Sequence, residues 1–265
     1  MPTPNPVAFT IFGLDIMWYG IIIACAIILA TLVTYLRAPS HGISRERVLD
    51  FALVCIPAGV VGARAYYVIF NWSYYNGDIW KIINTREGGL AIHGGLILGF
   101  LAAWLVCKVT SVNPLNALDT AVPAIALAQA IGRWGNYFNG EAHGGPTDLP
   151  WAIVVDGQKV HPTFLYESIW CLLLFLILLV VDSNRRFDGQ TVLVYVMLYS
   201  LERFFVEYLR TDSLMLFGSL KQAMVLSAVC FVVAFLLYRA LSSREKVNGK
   251  IFYGSYSKYK GKFKK

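Results

Sequence analysis

Apolar residues in this chain come in long unbroken runs, not in the alternating pattern of a half-buried sheet. Seven such runs, at about 17–36, 48–69, 89–108, 117–131, 163–181, 191–210 and 217–239, have the length of helices that cross a bilayer. Short polar or glycine-rich connections separate them. The pattern predicts an all-α integral membrane protein with seven transmembrane helices. The fourth run is the shortest and carries Pro123 and Gln129. The third carries Gly95-x-x-x-Gly99, a spacing that lets two helices approach closely. The longest connection, 132–162, is predicted to be a small extracytoplasmic insertion. Within it Trp151–Val155, the pair Asp156-Gly157 and Gln158–Val160 read as a hairpin. The expected organisation is a helical domain over residues 1–240 and a basic cytoplasmic tail over 241–265. Low-complexity segments and internal repeats are absent.

Composition agrees with the pattern. The apolar fraction is 57 %, charged residues are only 15 %, and mean hydropathy is +0.57. The net charge of +7 is unevenly spread: nine of the 23 Lys and Arg residues lie between Arg239 and Lys265. Next to a membrane span, such a run reads as attraction to anionic lipid and as topology control, not as a nucleic-acid surface. Arg37, Arg45, Arg47, Lys108, Arg185 and Arg186 fall in the first, third and fifth connections. The positive-inside rule puts those connections and the C-terminus in the cytoplasm and the N-terminus outside. No cationic start precedes the first apolar run, so it does not read as a cleaved signal peptide. The five cysteines are far apart in apolar runs and read as small buried hydrophobes, not as disulfide or metal ligands.

Against this background one stretch stands out. Gly132-Arg133-Trp134-Gly135-Asn136-Tyr137-Phe138-Asn139-Gly140-Glu141-Ala142-His143-Gly144-Gly145 packs an arginine, two asparagines, a glutamate and a histidine among glycines at the end of an apolar run. Lipid cannot satisfy those groups, so they must be buried in protein or line a wet cavity. Under the same orientation Tyr19, Arg64, His93, His161, Tyr166, Glu167, Arg203, Glu207 and Arg210 all fall in the outer half of the membrane. Arg203, Glu207 and Arg210 share one helix face, which predicts an Arg203–Glu207 ion pair. Arg210, Arg133 and Arg64 then remain as surplus positive charge, suited to the phosphate of an anionic lipid. His93 lies before Gly94 and Gly95, which allow close approach of backbone or ligand, and its ordinary pKa suits proton transfer. His143 and His161 are further candidates, and His41 reads as inert. Serine-nucleophile, His-Glu-x-x-His and P-loop motifs are absent, so in an enzyme the nucleophile would belong to a substrate.

These residues resemble the bacterial phosphatidylglycerol–prolipoprotein diacylglyceryl transferases. The family pattern Gly-Arg-x-Gly-Asn-Phe-x-Asn-x-Glu-x-x-Gly matches Gly132 through Gly144, with Tyr137 in place of Phe. His93-Gly94-Gly95-Leu96, His161-Pro162-Thr163-x-Leu165-Tyr166-Glu167, Tyr19-Gly20 and Arg203-Phe-x-x-Glu207 also fit, in family order. The resemblance implies a multi-pass enzyme of the bacterial inner membrane, acting on phosphatidylglycerol and the lipobox segment of a preprolipoprotein. It implies transfer of diacylglyceryl to the lipobox cysteine thiol, the first step of lipoprotein maturation, with glycerol phosphate as the other product. It assigns roles to Tyr19, His93, Arg133, Asn136, Glu141, Gly144, Arg203 and Glu207. On this reading Arg133 and Arg203 bind the phosphate and His93 is a candidate base. Asn136, Asn139 and Glu141 orient the arginines and the glycerol hydroxyls, and Gly94, Gly95 and Gly144 admit the substrate. No metal or other cofactor is expected. A membrane lipid hydrolase and a lipid transporter or scaffold without chemistry are the alternatives.

Overall fold

Residues that sequence patterning left as loops do much to set where the helices begin and end. The computed structural model describes residues 4–85, 88–211, 213–216 and 220–247. The elements in chain order are β1 (Val7–Ile11), β2 (Leu14–Met17), α1 (Trp18–Arg37), a 3-10 turn (Ala38–His41), α2 (Arg45–Phe70), α3 (Trp72–Tyr75) and α4 (Ile79–Ile83). They continue with α5 (Ile92–Thr110), α6 (Pro114–Asn139), β3 (Ile153–Val155), β4 (Gln158–Val160), α7 (Thr163–Ser183), α8 (Gln190–Leu209), β5 (Met215–Leu216), β6 (Leu220–Lys221) and α9 (Gln222–Val247).

Among the described residues, six of the long helices are apolar and long enough to cross a membrane: those beginning at Trp18, Arg45, Ile92, Pro114, Thr163 and Gln222. The remaining long helix, α8, carries Glu202, Arg203 and Glu207. The protein is therefore a mostly helical, multi-pass membrane protein.

The chain divides into two compact units, one of residues 35–117 and one of residues 1–34 with 118 onward. In the 35–117 unit α2 and α5 run antiparallel in close contact. The Ala91 N–H donates to Ala63 O at 3.0 Å. A side chain on Gly62 would meet Leu98 Cβ at 2.7 Å, and one on Gly95 would meet Gly59 O at 3.3 Å. Gly99 has nothing within 4 Å of such a position. The close approach thus uses Gly59, Gly62, Gly94 and Gly95, and not the Gly95–Gly99 pair of the sequence expectation. The helix expected from residue 89 starts at Ile92, because Gly88 and Gly89 take left-handed backbone at φ 88° and 81°. At the other end of the unit Ala38, Ile43 and Val48 form a small core. There His41, 1 % exposed, holds Asn116: Asn116 Nδ2 donates to His41 O at 2.8 Å. His41 is thus a structural clasp and not an idle loop residue.

In the other unit Val122 and Ala126 of α6 pack on Leu174 and Leu178 of α7, with Val192, Val194, Tyr195, Leu198 and Tyr199 of α8 around them. Asp119 fastens α6 to the start of α8. Its carboxylate accepts from Gly189 N at 2.6 Å, Val192 N at 2.9 Å and Arg185 Nη1 at 2.9 Å. A carboxylate at a helix N-terminus meets unpaired N–H groups and the positive end of the helix dipole. The expected hairpin is present as β3 and β4, with Asp156 and Gly157 both at positive φ, as a two-residue turn between twisted strands requires. The β1–β2 hairpin and the antiparallel pairing of β5 with β6 were not foreseen.

The main correction concerns the fourth helix. It was expected to end near residue 131 and runs to Asn139, so Gly132 through Asn139 lie on α6 and not in a loop. Gly132 and Gly135 keep helical backbone, and the helix stops before Gly140, which takes left-handed backbone at φ 67°. The expected tail over 241–265 lies mostly outside the described residues, α9 running to Val247. The cysteines also depart in part from expectation: Cys107 and Cys171 are buried, whereas Cys25 is exposed.

Candidate functional site

Three helices of the second unit converge on one buried ionic cluster. Arg133 comes from α6, Glu167 from the first turns of α7, and Glu202, Arg203 and Glu207 from α8. Glu167 Oε1 lies 3.1 Å from Arg133 Nη2 and 3.0 Å from Arg203 Nη1, so one carboxylate oxygen bridges both guanidinium groups. Arg203 Nη2 lies 2.6 Å from Glu207 Oε2, the ion pair expected from the i, i+4 spacing, though off the hydrogen-bond axis. Arg133 Nη2 also donates to Tyr199 OH at 3.3 Å. Glu167 is fully buried, while the side chains of Arg133 and Arg203 are 20 % and 21 % exposed. Glu167 is thus the more deeply buried partner of both contacts, and each arginine side chain keeps about a fifth of its surface exposed. Trp134 Nε1 donates to Ser168 Oγ at 3.1 Å, and Ser168 Oγ donates to Ala130 O at 2.8 Å, which locks α6 against α7 under the cluster.

The charge balance differs from the sequence reading. Two guanidinium groups meet three buried carboxyl groups, Glu167, Glu202 and Glu207. Arg133 is paired and not surplus. Arg64, in the 35–117 unit, is not spare either. It is 9 % exposed and donates to the carbonyls of Ile82, Gly88, Gly89, Lys81 and Asn84 at 2.5–2.9 Å. Its guanidinium also lies 5.2 Å from the Tyr75 ring centre. This cation holds together the segment that leads into α5.

A second group forms at the end of α6. Asn136 Nδ2 and Asn139 Nδ2 each donate to Glu141 Oε1 at 3.1 Å. Glu141 N donates back to Asn136 O at 3.0 Å. The asparagines therefore hold Glu141 and not the arginines. Tyr19 packs on Gly135, where an added side chain would meet its ring at 2.7 Å, and it lies within electrostatic range of Glu141 and Arg133. A hollow of about 280 Å³ is lined by Glu141, Ala142, His143 and Thr211.

Gly144 sits at a backbone crossing. Its N–H donates to His161 O at 2.9 Å, and Gly145 N donates to Leu209 O at 3.0 Å. A side chain at Gly144 would lie 2.7 Å from His161 Cβ. The glycine lets the loop, the start of α7 and the end of α8 meet, with Arg210 at the same bridge. Thr163 Oγ1 donates to Ala142 O, tightening the knot. His161 faces Tyr166, whose hydroxyl accepts from Trp151 Nε1 at 3.0 Å.

His93 is the second residue of α5, exposed, with its ring centre 6.0 Å from that of Tyr66. Gly94 beside it is buried against Gly62, so its evident role is helix packing. Tyr199 and Ser168 escaped the sequence reading, and so did two charged residues. Glu202 precedes an arginine already assigned a partner, and no motif marks it. Lys221 donates to the Glu207, Tyr208 and Arg210 carbonyls at 2.5–3.3 Å, a cation at a helix C-terminus.

Fold and site together define a polytopic helical membrane protein with an arginine–glutamate centre built from three of its helices. A family model described as prolipoprotein diacylglyceryl transferase matches residues 6–240. The phosphatidylglycerol–prolipoprotein diacylglyceryl transferase of Clostridioides difficile strain 630 is 53 % identical over 242 residues, covering 91 % of this chain and 97 % of that protein. That of Finegoldia magna is 50 % identical, covering 87 % and 93 %. One from Staphylococcus aureus strain MRSA252 is 41 % identical, covering 93 % of each. The chain belongs to the prolipoprotein diacylglyceryl transferase family.

Proposed function

We propose that this protein transfers the diacylglyceryl group of phosphatidylglycerol to the lipobox cysteine thiol of preprolipoproteins. The observation that carries the reading is the pair Arg133–Arg203, bridged by buried Glu167 and each about one-fifth exposed, within a chain of this family. All seven long helices span the membrane, α8 crossing with its Arg203 paired to Glu167 and Glu207 within the protein. The N-terminus lies outside and the C-terminus in the cytoplasm, in the bacterial inner membrane, and the β3–β4 segment is an extracytoplasmic insertion. Residues 1–240 form the catalytic domain, followed by a basic tail.

The phosphate of the headgroup binds the guanidinium N–H groups of Arg133 and Arg203, a geometry guanidinium serves well. The thiol sulfur attacks the lipid carbon that bears the phosphate oxygen. The S–C bond forms, the C–O bond breaks, and its electron pair goes to the phosphate oxygen, releasing glycerol phosphate. His93, from its place in the family motif, is the candidate base for the thiol proton. The arginines stabilise the charge that grows on the leaving phosphate, and loss of one such donor costs about 3 kcal/mol of barrier, roughly a hundredfold in rate. Tyr19, Asn136, Asn139 and Glu141 line the approach to the arginines and orient the glycerol part. Glu207 holds Arg203 in place.

The test is product analysis by mass spectrometry with purified protein, phosphatidylglycerol and a lipobox peptide. A peptide that gains a diacylglyceryl mass supports the proposal. Free diacylglycerol without peptide modification would assign the hydrolase alternative, and no change would assign a transporter or scaffold. Arg133→Ala and Arg203→Ala at near-parental rates would remove the phosphate clamp.

A further inference from the structure

We propose that Gln129 recognises the acyl ester of the lipid, its side-chain amide N–H donating to an ester carbonyl below the phosphate. Gln129 and Arg133 are four residues apart on α6 and share one helix face. On α8, Tyr195, Tyr199 and Arg203 follow the same spacing. The two faces meet in rungs. Tyr195 OH donates to Gln129 Oε1 at 2.9 Å, and Arg133 Nη2 donates to Tyr199 OH at 3.3 Å. The Tyr195 and Tyr199 rings stack with centres 5.5 Å apart. The Gln129 amide is thus fixed one helical turn from the arginine pair, and with its oxygen taken the N–H groups are the free end. Gln129 is half-buried. Its Nε2 has no hydrogen-bond partner among the described residues, and it is not sealed inside the protein.

Because α6 ends at Asn139, Gln129 lies nearer the middle of the helix than Arg133, about 6 Å deeper along its axis. At that depth acyl tails offer a donor no acceptor, and a polar group left unmet there is costly. A diacyl phospholipid carries its ester carbonyls a few bonds below its phosphate, on the tail side. A lipid whose phosphate sits on Arg133 and Arg203 therefore brings a carbonyl to the level of Gln129. The contact makes and breaks no covalent bond. It sets how the lipid glycerol lies, and with it the place of the carbon that the thiol attacks. An ether-linked lipid has no such carbonyl and loses the contact. The inference rests on the reading of Arg133 and Arg203 as a phosphate clamp.

Purified protein is assayed with a lipobox peptide and either diacyl phosphatidylglycerol or its dialkyl ether analogue of equal chain length. The reacting C–O bond is the same in both lipids. The parent is expected to favour the ester by about three- to tenfold in kcat/KM, the worth of one neutral hydrogen bond. Gln129→Leu should bring that ratio to about one, and Gln129→Met takes its place should Leu not fold. Tyr195→Phe, which frees the amide from its anchor, should lower the ratio part of the way. General damage to the fold slows both lipids together and leaves the ratio in place. A parent ratio near one, or a ratio unchanged in the Gln129 variants, would overturn the ester contact. An unchanged ratio with a raised KM for the peptide would assign the amide to a peptide carbonyl instead. Melting temperature is read with each lipid added, so the ester preference is scored even without thiol transfer. Arg133→Ala runs alongside. If it loses transfer while the Gln129 variants keep the ratio, only the ester contact falls; if it keeps parental rates, the clamp falls and the depth argument with it.

Discussion

Replacing Arg64 by Gln should cost stability before it costs chemistry. The Arg64 side chain gathers five backbone carbonyls of the 81–89 segment at 2.5–2.9 Å. A hydrogen bond to a charged donor is worth about 1.5 kcal/mol net, so five would give about 7 kcal/mol. Water reaches much of that exposed segment and re-satisfies part of the freed carbonyls, which leaves about 3–4 kcal/mol. At about 2–4 °C per kcal/mol for a chain of this size, the melting temperature should fall by roughly 10 °C. Arg64→Lys should recover little, since an ammonium is a point donor and cannot span separate carbonyls as a planar fork can. The measurement is thermal melting of monodisperse protein in detergent, with timed proteolysis of the 79–89 segment. Cleavage there should speed up, while the rate per folded molecule at low temperature changes less than in Arg133→Ala. Unchanged melting and cleavage with a raised KM for lipid would refute the reasoning and return Arg64 to the phosphate.

Three further outcomes are expected. Gly94→Val would drive its Cβ into the Gly62 backbone and the Tyr66 side chain and push α2 from α5, at about 2–3 kcal/mol; Gly99→Val, in open space, should leave melting unchanged. Gly135→Ala should lower turnover with little loss of melting temperature, because its Cβ displaces the Tyr19 ring 2.7 Å away. Asp119→Asn should lower melting by an amount equal to about 1–3 kcal/mol, since it removes the shorter of two carboxylate contacts of Arg185, whose side chain is only 6 % exposed.

Much of the helix plan is legible in the apolar runs, because a bilayer-length helix must satisfy its own backbone and hide nothing from lipid. Each of the seven runs carries a long helix. The misjudged ends have local causes. Gly88 and Gly89 delay α5 by taking left-handed backbone, whereas Gly132 and Gly135 keep helical backbone within α6, Tyr19 packing where a Gly135 side chain would be. The Arg203–Glu207 pair was readable from spacing alone, since both residues sit on one helix face.

Composition and periodicity by themselves determined that this is a helical membrane protein. The clustering of Gly132–Gly145 with the outlying His, Arg and Glu residues determined which family it joins. Partner choice was decided only by tertiary structure. Glu167 is separated by more than thirty residues from each arginine it bridges, and Arg64 reaches carbonyls that any residue would offer, so neither contact leaves a trace in residue type. The excess of carboxyl over guanidinium groups at the centre belongs to the same class. A count of charges along the chain sums to positive, whereas a site's charge depends on which side chains three separate helices bring within a few ångströms of one another.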